Sequence, residues 1–243
     1  MTEIVLARPN TPELRAAHDL FRKTFRPEEM DNLDTFQRYS GQPDAAKYRL
    51  IVPVVKDGER VVAAASGTYL PTMDSLERRT GGGFGWLEYL ATTETERGKG
   101  YGNAVVEALE EEIMRIHDAR NFMGLSENWL GHYGAVEQRS DMSPFSERRG
   151  YKRLPIEFID PRYDYDENGR PCNKPENYWL MAKVPDDFTS TDLVKVLRGL
   201  KMWHTPDEGE FATGEAYDGI CSYVDRIFEE MITNAKRLPK RFQ

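Results

Sequence analysis

The run Arg97-Gly98-Lys99-Gly100-Tyr101-Gly102 constrains this chain more than any other feature, because it joins a strand-like segment, Gly83 to Thr93, to a helix-like one, Asn103 to His117. Glycines at alternate positions let the backbone turn tightly and bring its N–H groups close to a ligand with no Cβ in the way. The helix that follows aims its unpaired N–H groups and the positive end of its dipole at the same spot. Arg97 and Lys99 add positive charge. Such a junction reads as a phosphate cradle, with an ordinary strand-to-helix turn as the alternative. Two common cradles are excluded. A dinucleotide loop needs G-x-G-x-x-G near the chain start with an acid ~20 residues on, a P-loop needs Gly-Lys-Ser/Thr, and the chain has neither.

Around that junction the hydrophobic periods alternate between strand and helix. Glu3 to Ala7 reads as a first strand, and Thr11-Pro12-Glu13 opens a helix with an N-cap and a Pro at its first position. Leu14, Ala17, Leu20, Phe21 and Phe25 give that helix one apolar face. Residues 32 to 40 suggest a second short helix. Tyr48 to Lys56 and Arg60 to Leu70 are β-rich runs joined by Asp57-Gly58, a hairpin signal, and Leu76 to Gly83 reads as a loop. Past the glycine run, Val105, Val106, Leu109, Ile113 and Ile116 mark an amphipathic helix, and Asn121 to Leu125 reads as a fifth strand. Residues 126 to 142 show no clear period, and Ser143-Pro144 caps a short helix. Arg153 to Ile159 and Tyr178 to Val184 are the last strands, separated by a turn-rich stretch from Asp160 to Glu176.

Composition narrows the class. The 243 residues can bury one good core. No apolar run approaches the ~18 residues of a membrane span, and the first residues do not resemble a signal peptide. Cys172 and Cys221 are too few for a disulfide framework and have no metal-ligand spacing, so they are expected to be plain thiols, and no metal is expected. A formal net charge of −8 argues against a nucleic-acid-coating surface and favours cationic or neutral acceptors. The expectation is a soluble cytoplasmic enzyme.

At Arg97, Gly100 and Gly102 the chain resembles the GNAT superfamily of N-acetyltransferases, whose pyrophosphate loop reads Arg/Gln-x-x-Gly-x-Gly/Ala. Downstream, Phe145-Ser146-Glu147-Arg148-Arg149-Gly150-Tyr151-Lys152 is similar to the family's Phe-Tyr-x-x-x-Gly-Phe-x signature. The departure is Ser146, where many members carry a Tyr that protonates the leaving thiolate. The resemblance covers roughly residues 3 to 184. It implies a mixed, mostly antiparallel central sheet flanked by helices over residues 1–184, with residues 185–243 as a helical C-terminal extension. Leu193, Val196, Leu197 and Leu200 form one face of that extension, and Tyr217, Ile220, Tyr223, Val224, Ile227, Phe228 and Met231 a longer one. An appendage packed on the sheet is expected, with a dimer arm or an acceptor-site lid as the alternatives.

The resemblance also implies a reaction: an acyl group passes from acetyl-CoA, or another acyl-CoA, to an amine by direct attack in a ternary complex. The thioester lies in a cleft where the family's fourth and fifth strands splay apart. The residues implied to hold it here are Leu90, Ala91 and Thr92 on the strand and Arg97, Gly98, Lys99, Gly100, Tyr101, Gly102 and Asn103 at the loop. Glu88, the one acid in the apolar run Phe84 to Ala91, shares a face with Trp86, Leu90 and Thr92. Desolvation there is expected to raise its pKa toward that of a useful base, the alternative being a structural Glu satisfied by an Arg or a backbone donor. For the thiolate proton, the hydroxyl of Ser146 is a poor donor. Tyr133 and His132 are the substitutes, ordinary loop positions being the alternative for each. His117 and His204 read as helix-end or linker residues, and Trp129 as half-buried packing or a pocket wall.

The expected partner is a small-molecule or peptide amine, with a homodimer as a further candidate. A longer-chain acyltransferase of autoinducer-synthase type and a non-catalytic acyl-CoA sensor are the competing functions. Segments 26 to 47, 126 to 142 and the C-terminal region, where acceptor specificity would reside, contain no motif.

Overall fold

The computed structural model describes residues 2–43, 48–120, 128–137, 142–161, 175–205 and 213–241. These form a mixed α/β structure whose strand pairings β1–β3, β2–β4, β3–β4, β6–β8 and β7–β8 are all antiparallel. In chain order the elements are β1 (Thr2–Leu6), α1 (Pro12–Thr24), α2 (Leu33–Ser40), β2 (Leu50–Ile51), β3 (Pro53–Asp57), β4 (Arg60–Met73), β5 (Arg79–Thr92), α3 (Tyr101–Arg120), β6 (Asn128–Glu137), α4 (Met142–Arg148), β7 (Lys152–Asp160), β8 (Glu176–Lys183), α5 (Ser190–His204) and α6 (Gly214–Lys236). The chain groups into two compact units, one of residues 1–69 and 85–126, the other of residues 70–84 and 127–243.

In the first unit the strand order is β1-β3-β4-β5, with β2 also on β4. Helix α1 starts where Thr11 accepts a hydrogen bond from the N–H of Leu14 at 3.4 Å, and α2 where Asn32 accepts from Thr35 at 2.9 Å. Such side-chain oxygens satisfy N–H groups that the first turn leaves without acceptors. Both helices bury aromatic faces on one side of the strands. Phe36 stacks on Tyr89 of β5 at 5.9 Å, Phe21 lies 5.5 Å from the same ring, and the Tyr89 hydroxyl donates to the Glu29 carbonyl at 2.6 Å. Full burial of each such ring is worth roughly 1.5–3 kcal/mol. Helix α3 buries Val105, Val106, Leu109, Ile113 and Ile116. Gly67 permits its approach, since a Cβ there would come within 2.9 Å of Leu109 Cδ2 and overlap the Trp86 carbonyl.

In the second unit the order is β5-β6-β8-β7, and α5 and α6 belong to the same unit. The β4–β5 turn is tied by Asp74, whose carboxylate accepts from the N–H groups of Leu76 (2.8 Å) and Arg78 (3.0 Å). Those bonds to Arg78, backbone first and then side chain, hold its pKa at about 2. Helix α5 begins with a reciprocal cap between Thr189 and Asp192. Gly199 lets it press on the hairpin: a Cβ would lie 2.5 Å from the Pro71 carbonyl and 2.7 Å from Phe84. Lys201 then bridges Glu77 of the turn (3.0 Å) and Asp225 of α6 (2.8 Å).

Several boundaries differ from the sequence reading. The segment 79–83, expected as loop, extends β5, because the turn closes at Arg78 and the Thr72 and Thr80 hydroxyls pair across the hairpin at 2.7 Å. The run 48–56 breaks into β2 and β3 at Val52, just before Pro53, which has no N–H for a ladder. Residues 128–137, without period in the sequence, form a full strand whose Gly131 takes φ +104°. Helix α4 begins at Met142, before Ser143. The expected strand Asn121 to Leu125 lies outside the described residues, as do residues 162–174 of the turn-rich stretch and Cys172. Cys221 is a free cysteine.

Candidate functional site

Most of the site expected from sequence falls within the first unit, on β5, the loop after it and the start of α3. Alternation along β5 divides its residues. Tyr89 and Ala91 join the core under α1 and α2, while Glu88, Leu90 and Thr92 lie on the opposite face and are half-buried. One carboxylate oxygen of Glu88, Oε2, is shielded from solvent. Beyond Thr92 the strand ends with Thr93 donating its N–H to the Val62 carbonyl at 2.9 Å, and a 3₁₀ turn over Glu94–Glu96 leads into the glycine run.

The run has the geometry of a backbone cradle. Gly98 and Gly100 take φ +81° and +88°, where L side chains are strained, and nothing lies within 4 Å of the direction a Cβ would occupy at either. Tyr101 starts α3, two residues before the expected Asn103, so Gly102 lies in its first turn. The first α3-directed bond is Ala104 N–H to the Gly100 carbonyl at 3.1 Å, and the turn holds no acidic residue. The N–H groups at such a start have no acceptors within the helix. The positive end of the α3 dipole therefore lies at the glycine run.

The charged residues of the run behave unequally. The Lys99 ammonium pairs with the Glu96 carboxylate at 2.7 Å, and this hydrogen bond raises the lysine's pKa. Arg97 is exposed beside it. Two acids, Glu94 and Glu96, therefore offset the two cations Arg97 and Lys99, so the stretch from Glu94 to Gly102 carries no formal net charge. The sequence reading missed this pairing, although opposite charges three residues apart in a turn are the visible signal for it.

Apart from His117, which belongs to the first unit, the remaining expected residues sit in the second unit. Tyr133, on β6, is fully buried against Phe84 (5.5 Å) and Phe188 (6.2 Å), and its hydroxyl donates to the Leu130 carbonyl at 2.7 Å. Burial first, and the nearby Asp192 charge second, push its pKa well above the usual phenol value. His132 is buried edge-on to Trp129 at 4.8 Å. Ser146 is buried in α4, which ends in a left-handed Gly150 (φ +85°), the N–H of Tyr151 returning to the Ser146 carbonyl at 3.0 Å. The signature glycine is thus a helix terminator. His204, expected as a helix-end or linker residue, is the last residue of α5 and lies inside the core between Phe158 and Phe228. His117 is buried against Tyr69 at 6.0 Å.

Among the described residues, no cluster of three or more His, Cys, Asp or Glu could hold a metal ion, and no helix is long and apolar enough to cross a membrane.

Comparison with known proteins bears on this arrangement. No curated protein matches the sequence. Solved structures that resemble the chain include the ribosomal-protein-S18-alanine N-acetyltransferase of Escherichia coli (17% identity, TM-score 0.45, 75% of this chain and 92% of that one). Two others are an aminoglycoside 6'-N-acetyltransferase complexed with coenzyme A (16%, 0.47, 75% and 98%) and NAA60 of Arabidopsis thaliana in complex with acetyl-CoA (13%, 0.48, 75% and 100%). The model of the acetyltransferase (GNAT) family matches residues 14–128, a stretch that takes in most of α1, the β5 strand, the glycine run and all of α3, so a match to a GNAT-family acetyltransferase domain spans those residues.

Proposed function

We propose that the protein transfers an acetyl or related acyl group from acyl-CoA to an amine by direct attack. The observation that carries this reading is the pair of left-handed glycines with open space before them, set against the start of α3. The residues present fit the pyrophosphate of acyl-CoA. Gly98 and Gly100 leave room for close approach, the N–H groups at the start of α3 supply donors, and Arg97 and Lys99 lie at the rim. The backbone of Leu90, Ala91 and Thr92 is the adjoining stretch suited to hold the amide-bearing arm of CoA.

In the reaction, the amine nitrogen forms a bond to the thioester carbonyl carbon, the C–S bond breaks, and the leaving thiolate takes the proton that the nitrogen sheds, directly or through water, as it becomes an amide. An ammonium acceptor must lose a proton first, and Glu88 is assigned as the base that receives it, directly or through water. Its half-buried place on the face shared with Leu90 and Thr92 supports this role. Tyr133 is not used as the acid, because its hydroxyl is occupied by the Leu130 carbonyl and sealed in the core. Ser146 is likewise buried and assigned to packing of α4. The acceptor is expected to be a small-molecule or peptide amine.

The test is release of free CoA from acetyl-CoA in the presence of amines, aminoglycosides, polyamines, amino acids and lysine peptides. Release dependent on one of these classes supports the reading. Tight CoA binding with no release for any of them would replace it with an acyl-CoA sensor, and release only from long-chain thioesters with an acyltransferase of autoinducer-synthase type.

A further inference from the structure

Strand β1 ends the strand order of its unit, and among the described residues its one strand partner is β3. The register places Leu6 opposite Pro53, which has no N–H to give, and the next residue, Ala7, donates to the Val52 carbonyl at 2.9 Å. Backbone groups in an antiparallel ladder turn alternately to one side and the other. Glu3, Val5 and Ala7 therefore face β3, and the N–H and C=O groups of Thr2, Ile4 and Leu6 face away from it. The side chains of Ile4 and Leu6 are 49% and 40% exposed, whereas Val5 packs on the core. Among the described residues, the outer side of β1 thus offers a row of backbone donors and acceptors, with apolar side chains on one face.

Strand β7, which ends the order of the other unit, is built differently. It carries Lys152, Arg153, Pro155 and Glu157, and its register on β8 shifts between Arg153 and Glu157. Charge, proline and irregular register are the devices that stop an edge from pairing with another chain. Glu3 is the one charged residue of β1, and its carboxylate lies 3.7 Å from the Lys56 ammonium of the same unit.

We propose that β1 pairs antiparallel with β1 of a second copy of this chain, about a two-fold axis through Ile4. That register uses all three outward-facing residues, as Thr2–Leu6, Ile4–Ile4 and Leu6–Thr2 pairs, and sets no like charges opposite each other. Centring on Glu3 would oppose two carboxylates. Centring on Val5 would need the backbone of Arg8, which is committed to Thr11 through the Arg8 N–H to Thr11 Oγ1 bond (3.3 Å) and the Thr11 hydroxyl to Arg8 carbonyl bond (2.7 Å). A single five-residue strand buries far less than the roughly 1,000 Å² of a stable interface, so the dimer is weak and depends on concentration.

Sedimentation equilibrium from micromolar to millimolar protein tests this. The wild type is expected to shift from monomer toward dimer mass. Ile4→Pro, which deletes an outward N–H without touching the β3 ladder, and Ile4→Lys are both expected to stay monomeric with unchanged far-UV circular dichroism. An added peptide of residues 2–6 should compete with the wild-type dimer. A wild type that is monomeric throughout, or a dimer that both variants retain, would overturn the proposal. So would a monomer that takes unrelated extended peptides on this edge, which would make the occupant a different protein.

Discussion

Gly98 and Gly100 in the first unit and Gly131 and Gly199 in the second are the same residue used for opposite ends. The first pair faces empty space in a left-handed backbone, whereas a Cβ on Gly199 would press on Pro71 and Phe84, and one on Gly131 would overlap the Lys183 carbonyl. Empty space before a strained glycine suits a ligand, and filled space suits a core. The same contrast separates Glu88, half-buried on β5, from Tyr133, sealed among aromatic rings. Changes in the open region should move chemistry and spare the fold, and changes in the filled region should do the reverse.

The largest expected effect belongs to the open region. Glu88→Gln keeps the size of the side chain and removes the base, so kcat should fall roughly 10²–10⁴-fold, about 2.7–5.5 kcal/mol of barrier. CoA affinity and melting temperature should stay near wild type when measured on the same preparation. A lowered melting temperature with full turnover in the folded fraction would move Glu88 to the filled class.

Next in size, Gly199→Val should cost about 3 kcal/mol by overpacking α5 against the hairpin, read by urea unfolding, with kcat per folded molecule unchanged. Gly100→Val should remove the stabilisation that CoA confers, about 2.7 kcal/mol at 100 times its Kd, because valine resists the left-handed backbone and fills the space a phosphate needs. Normal CoA affinity in a folded Gly100→Val would take the loop out of the site.

Smaller again is a pH effect in the filled region. Burial lowers the pKa of His204 to about 3 from 6.5, so its ring is neutral at pH 7 and its 3.8 Å approach to Asp160 is not an ion pair. A histidine depressed in this way contributes stability that is present above its unfolded pKa and is lost as pH falls below it. Between pH 7 and pH 5 the loss should be about 2 kcal/mol. His204→Phe, between the rings of Phe158 and Phe228, should flatten that slope. The smallest effect is Tyr133→Phe, which deletes the hydrogen bond to Leu130 for about 1 kcal/mol and should leave kcat intact. A collapse of kcat with unchanged stability would return Tyr133 to the chemistry.

How legible each region was follows the same contrast. The glycine run, the capped start of α1 and the Asp57-Gly58 turn were readable because their signals are local: a cap or a turn needs only neighbours in sequence. Strand β6 was not, because Gly131 and Gly134 interrupt its alternation and Gly131 leaves the pleat where the Lys183 backbone presses close. The start of β5 hid behind Thr80 and three consecutive glycines, which propensity assigns to loop and which cross-hairpin pairing overrides. The burial of Tyr133 and His204 depends on β6, α5 and α6 meeting at distant points in the chain, which no local pattern encodes. The glycine run was legible as a candidate cradle, but its self-neutralised charge appeared only with the Glu96–Lys99 pair in place.

The most direct test of the central claim, that the open glycine loop holds acyl-CoA, is thermal unfolding of the wild-type chain titrated with CoA, with ATP and NAD in parallel. CoA should raise the melting temperature in a saturable way, to a stabilisation of about 2.7 kcal/mol at 100 times its Kd, and ATP and NAD should do much less. A melting temperature that CoA leaves unmoved while ATP raises it would contradict the account.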